Sequence, residues 1–171
     1  MIIPYHIHEK SYVWENSLWL ENKKNIETVS MFSETNVIVK LHPGDTYETE
    51  TKLFTENLPN KLIRVLKYYD SLLLAKGADL LIVSQSTFCI DGLAYQKPVI
   101  LVDQYSFERY KSLNFFYDGT TQEKLNDALQ GILTGRYQKH IENWKTAADY
   151  ILDAMDGKAS GKIARILAQQ Q

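Results

Sequence analysis

Cysteine is nearly absent: Cys89 is the single one in 171 residues. One thiol cannot close an internal disulfide, so this is no disulfide-stapled secreted scaffold and a reducing cytoplasm is the expectation. Long apolar runs are missing too, with no window near the roughly 20 residues of a membrane-spanning helix. The start, Met1-Ile2-Ile3-Pro4-Tyr5, lacks a basic region and a cleavage pattern and reads as a strand. Nor is there an excess of one charge: 19 Lys and Arg stand against 21 Asp and Glu, a net of -2. That excludes a general nucleic-acid binder, which carries a basic surplus, but leaves room for a local phosphate site. Several motifs are absent. Gly157 to Lys162 has the wrong spacing for a Walker loop, and no Gly-x-Gly-x-x-Gly follows a strand, which argues against a nicotinamide or flavin site. No serine-centred nucleophile elbow occurs. His6-Ile7-His8 has a spacing found in metal sites, but no cysteine or acidic cluster accompanies it, so no metal is expected.

What is present is an alternation of strand-like and helix-like segments. Ile2–Ile7, Val37–Leu41, Leu62–Leu66, Leu80–Val83 and Pro98–Val102 are short apolar runs, and Phe115–Tyr117 suggests a sixth strand. Such near-continuous runs suit parallel strands covered on both faces. Helices are expected over Trp14–Phe32, Tyr47–Asn57 and Thr87–Tyr95, and over Ser71–Lys76 with Asp70 as cap and Gly77 as stop. The clearest helix opens with Thr120 and Glu123 as a capping box, carries Leu125, Ala128, Leu129, Ile132 and Leu133 as a stripe, and stops at Gly135. Trp144, Ala147, Ala148, Ile151, Leu152 and Met155 repeat that spacing. Beyond Gly157, a last helix carries Ile163, Ile166 and Leu167. The pattern predicts an α/β fold: a three-layer, doubly wound, mostly parallel, Rossmann-like sheet of about six strands with a helical C-terminus. The length fits one such domain over residues 1–171, whereas enzymes of two facing nucleotide-type domains need about twice this chain.

In such sheets ligands bind beyond the carboxyl ends of the strands. After the second strand stands Lys40-Leu41-His42-Pro43-Gly44, where His42 can donate to a phosphate or simply settle in a turn. After the fourth stands Ser84-Gln85-Ser86-Thr87, directly opening a helix: free N–H groups and hydroxyls suited to an anion, or plain capping by Ser86. Asp91 lies one turn further and can accept from ribose hydroxyls, or be an exposed acid. Asp103-Gln104 follows the fifth strand and reads better as a polar loop than as a sugar contact. His8 and Lys10 follow the first strand. His140 lies in a polar helical region and reads as solvated, and Cys89 as core. The abundant tyrosines read as ordinary core aromatics rather than a docking face.

Three stretches together resemble a family. Val39-Lys40-Leu41-His42-Pro43, Ala78-Asp79-Leu80-Leu81-Ile82-Val83-Ser84-Gln85-Ser86-Thr87, and Asp91-Gly92-Leu93-Ala94-Tyr95-Gln96-Lys97-Pro98-Val99-Ile100 are similar to the donor-binding half of bacterial envelope glycosyltransferases of the GT-B fold. Asp156-Gly157-Lys158-Ala159-Ser160 is similar to their tail. The nearest relatives by motif are capsule polysaccharide transferases and CDP-glycerol glycerophosphotransferases. The resemblance implies a nucleotide-activated donor, UDP- or CDP/CMP-linked, bound as substrate, with no tightly bound cofactor. It assigns His42 to a donor phosphate as the catalytic member, Ser86 and Thr87 to the diphosphate, and Asp91, where the family usually has glutamate, to the ribose. The loop around Leu66 to Tyr69, with Tyr68, faces the nucleobase, and Lys40, Ser84 and Gln104 complete the candidate binding set. Gln96 stands where the family has glycine. The acceptor domain and its general base are expected elsewhere, on an N-terminal domain or a separate chain. The resemblance also implies work at the inner face of the membrane, through that partner, and is compatible with a homo-oligomer. Half of a UDP-N-acetylglucosamine 2-epimerase, or a non-catalytic donor-binding subunit, are the alternatives.

Overall fold

The computed structural model describes residues 2–4, 12–32, 35–41, 63–152 and 158–169. The helix expected over 47–57, the turn at His42-Pro43-Gly44, and His6, His8, Lys10, Met155, Asp156 and Gly157 lie outside them. The strands are β1 (Ile2–Pro4), β2 (Val37–Lys40), β3 (Ile63–Leu66), β4 (Leu81–Val83), β5 (Val99–Leu101) and β6 (Tyr117–Asp118). The helices are α1 (Tyr12–Ser30), α2 (Ser71–Gly77), α3 (Phe88–Ala94), α4 (Gln104–Tyr110), α5 (Gln122–Leu133), α6 (Lys139–Glu142), α7 (Trp144–Leu152) and α8 (Ala159–Ala168). The strands form one sheet in the order β3-β2-β1-β4-β5-β6, and every neighbouring pair is parallel. The α/β class and the parallel sheet agree with the sequence reading.

Side chains alternate across the pleat. Val37, Val39, Ile82 and Ile100 pack with Ile26 and Val29 of α1 and with Leu125, Ala128 and Leu129 of α5. Leu81, Val83, Val99 and Leu101 pack instead with Leu74 and Ala75 of α2, Phe88, Cys89 and Leu93 of α3, and Ala147 of α7. Every residue of β4 and β5 is buried, which is why both read as unbroken apolar runs. Gly92 lets α3 lie close on those strands: a Cβ there would meet Val99 Cγ2 at 2.4 Å and Leu81 Cδ1 at 2.7 Å.

Local details differ from expectation. Asp70 caps α2 as expected, accepting from the N–H groups of Leu72 and Leu73. Gly77, however, is the last residue of α2 rather than its stop, and extended Ala78 closes it by donating to Leu74 O. Thr121, not Thr120, caps α5, because the Thr120 hydroxyl donates to Asp118 Oδ1 at 2.6 Å. Leu133, expected on the buried stripe, is exposed. Gly135 does stop the helix, at φ +72°. Phe115 and Phe116 are core residues just ahead of the last strand. His140 is buried, not solvated, and bonds the Tyr117 hydroxyl through Nδ1 at 2.7 Å.

Candidate functional site at the strand ends

β1 and β4 are sheet neighbours from which the strand order runs outward in both directions. A parallel sheet opens a crevice at such a point, beyond its carboxyl ends. The residues after β4 are Ser84-Gln85-Ser86-Thr87. Ser84 is buried, and Gln85 adopts the left-handed conformation, φ +43°. The turn is held there by Asp103, whose Oδ2 accepts from Gln85 N–H at 2.9 Å while Oδ1 accepts from Ser106 N–H at 2.8 Å. One buried carboxylate thus ties the β4 turn to the start of α4. It also takes the Gln85 N–H away from any ligand.

Between this turn and α4 lies a cleft of about 340 Å³, lined by Gln85, Ser86, Thr87, Tyr105, Ser106, Arg109 and Tyr110. Ser86 Oγ accepts from Phe88 N–H at 3.2 Å, the capping role read from the sequence, and keeps its own O–H to donate. Thr87 is exposed and its hydroxyl makes no capping bond. The Arg109 guanidinium stands 5.3 Å from the Tyr110 ring and, among the described residues, has no carboxylate partner. Among the described residues the lining therefore offers one cation, several hydroxyls and no acid, a donor-rich surface suited to an anion.

Other residues singled out from the sequence are not in the lining of this cleft. Lys40 is buried, and its Nζ donates to the carbonyls of Leu41 at 2.6 Å and Lys67 at 2.8 Å, joining the ends of β2 and β3. Tyr68, just past β3, is 83% exposed, with the Lys67 amine 5.2 Å from its ring. Asp91 is half-buried in the first turn of α3, and burial raises its carboxyl above the ordinary value of 3.8. Gln104 is exposed and donates to Glu108 Oε1 at 3.0 Å within α4. His42 lies outside the described residues. Cys89 is core, as expected, and burial pushes its thiol up to about 12. Sequence reasoning missed Tyr105, Ser106 and Arg109 because it read Asp103-Gln104 as a loop. The signal was Asp103 in capping position ahead of Phe107 and Tyr110, three residues apart.

A larger hollow of about 790 Å³ lies beyond β6, between α5 and α6. Its walls include the ion pairs Lys124–Asp118 at 2.8 Å and Arg136–Asp127 at 2.7 Å. Tyr137 adds a hydroxyl bond to Asp127 at 2.7 Å. Lys139 sits with its amine 4.7 Å from the Tyr117 ring, and burial holds that amine below its ordinary value. Burial likewise lowers His140 and pushes Tyr117 up to about 12.

No protein-family model and no curated protein sequence matches the chain. Among solved structures, it is similar to spinosyn rhamnosyltransferase SpnG, solved with spinosyn aglycone. The TM-score is 0.62 at 10% identity, over 89% of this chain and 40% of that one. It also matches the glycosyltransferase SnogD from Streptomyces nogalater at 16% identity, over 90% of this chain and 42% of that one, with a TM-score of 0.45. The fold is that of a GT-B glycosyltransferase domain. The chain spans about two fifths of the length of these structures. Among the described residues, no helix is long and apolar enough to cross a membrane.

Proposed function

We propose that residues 1–171 form the donor-binding domain of a GT-B glycosyltransferase of surface polysaccharide synthesis, a doubly wound unit that holds the nucleoside diphosphate of an activated sugar or of CDP-glycerol. The observation that carries this reading is the strand-end cleft, which Ser86, Thr87 and Arg109 line together with no acid among the described lining residues. A leaving nucleoside diphosphate gains negative charge as the bond to the transferred group breaks, and preorganised donors stabilise that charge. In this reading the hydroxyls of Ser86 and Thr87, the Arg109 guanidinium and His42 hold the phosphates. Asp91 takes the ribose hydroxyls, Tyr68 stacks on the base and Gln104 meets the transferred group. Asp103, Lys40 and Ser84 are the buried supports behind them. The acceptor hydroxyl needs a general base, which an acceptor domain outside these residues supplies.

Calorimetric titration with UDP, CDP, CMP and GDP tests the reading. One nucleotide binds saturably, and His42→Ala and Ser86→Ala each weaken it. Absence of binding by all four contradicts the donor site, and unchanged affinity in both variants moves the site elsewhere.

A further inference from the structure

The hollow beyond β6 has a fixed aromatic floor. Tyr117 is buried, and its ring lies 6.1 Å from that of Tyr137 at an interplanar angle of 22°. Tyr137 is tied down at several points. Its hydroxyl donates to Asp127 Oδ2 at 2.7 Å, its N–H donates to Gly131 O at 2.9 Å, and the Arg136 guanidinium stands 4.6 Å from its ring. Gly131 makes room for that ring, since a Cβ there would meet Tyr137 Cδ2 at 2.1 Å. A glycine inside a helix weakens it, and here it seats the floor. The rest of the lining carries both signs of charge. Lys124 pairs with Asp118 and Arg136 with Asp127, while Glu123 and Glu142 have no ion-pair partner among the described residues. The Lys139 amine stands 4.7 Å from the Tyr117 ring.

We propose that this hollow binds a neutral saccharide, at a site separate from the strand-end cleft, with which it shares no lining residue. Its volume of about 790 Å³ falls within the roughly 300–1,000 Å³ usual for small-molecule sites. An anion must pull Lys124 or Arg136 away from its carboxylate. A cation enters a lining that already holds Lys124, Arg136 and Lys139. An apolar molecule of the same size strips water from the charges and gives them no partner. A neutral polyol avoids all three costs, because each hydroxyl both donates and accepts. It can donate to the carboxylates of Glu123 and Glu142 and accept from the Lys139 amine, and the two ion pairs stay in place. The C–H patches of a pyranose ring supply the apolar contact that Tyr117, Ala128 and Tyr137 offer. Saccharide binding here does not depend on what the strand-end cleft holds.

Saturation-transfer NMR on the full chain decides this. Glucose, N-acetylglucosamine and maltose are the neutral probes. Glucuronic acid and glucosamine add a negative or a positive charge to the same ring. At least one neutral sugar receives saturation, and both charged sugars bind more weakly. In the 15N-labelled chain that neutral sugar shifts the amides of Asp118, Asp127, Tyr137 and Lys139 and leaves those of Ser86 and Ser106 in place. The double variant Glu123→Ala with Glu142→Ala binds it about 5-fold or more weakly, the loss of hydrogen bonds to charged acceptors. Its thermal midpoint and nucleotide binding stay unchanged, because both side chains are exposed and outside the strand-end lining. No saturation of any neutral sugar overturns the proposal, as does binding that the double variant leaves unaltered. Tighter binding of either charged sugar gives the hollow to an ion and equally overturns it. Nucleotide titration of the same sample reports on the strand-end cleft alone, so failure of one site is told apart from failure of the other.

Discussion

The hollow beyond β6 encloses about 790 Å³ and the strand-end cleft about 340 Å³, yet their charges are arranged in opposite ways. In the larger, Lys124 and Arg136 are already matched by Asp118 and Asp127, and Glu123 and Glu142 add to the acidic side of the walls. In the smaller, Arg109 is the one charged side chain among the described lining residues, and the nearby acid Asp103 is turned onto two backbone N–H groups. Volume therefore does not rank the two hollows. A phosphate gains from donors left unmatched by the protein, and loses where it must displace a carboxylate from a cation.

The largest expected contrast between the two regions lies in stability. Asp103 is buried and accepts two hydrogen bonds, each worth ~1.5–3 kcal/mol to a charged acceptor, so Asp103→Ala destabilises by about 3 kcal/mol or more. Lys124→Ala removes a partly exposed pair with Asp118 and leaves that carboxylate its two bonds from Thr120, with an expected cost of at most about 1 kcal/mol. Urea unfolding of the two variants measures the difference, and equal costs break the contrast.

A smaller effect separates the cations. Arg109→Ala lowers nucleotide affinity about 10-fold or more, the loss of one charge-assisted hydrogen bond or a bidentate pair, whereas Lys139→Ala leaves it unchanged. Calorimetry on both variants checks this, and the reverse order transfers the ligand to the β6 hollow.

The smallest effect is in pH. Burial holds His140 below its ordinary value of 6.5, so as pH falls the unfolded chain takes up that proton before the folded one does. Stability is full above about 6.5 and declines below it, and His140→Gln flattens that part of the profile. Thermal midpoints at several pH values between neutral and mildly acid follow it. A decline of the same slope in His140→Gln assigns it to other groups.

The sheet was legible because buried parallel strands leave a signal that survives without context. Leu80 to Val83 and Pro98 to Val102 are apolar at every position, and the structure buries both faces of β4 and β5. The turn after β4 was legible for the same reason, since a polar, hydroxyl-rich stretch follows an apolar run. What escaped depends on contacts far along the chain. His140 looks solvated among polar neighbours, and only its approach to Tyr117, 23 residues earlier, explains its burial. Arg109 sits on a helix with little apolar periodicity, held by Asp103 at its start and by packing of Phe107 and Tyr110. The capping residue of α5 shifted by one because Asp118 captures Thr120, a competition between two local bonds that spacing does not resolve.

Amide chemical-shift mapping tests the central claim most directly. UDP or CDP is added to the 15N-labelled chain, and the cross-peaks of both hollows are followed together. Binding at the strand ends shifts the amides of Ser86, Thr87, Ser106 and Arg109 and leaves Tyr117, Asp118 and Lys139 in place. Shifts confined to the residues beyond β6, or none in either group at saturating nucleotide, contradict it.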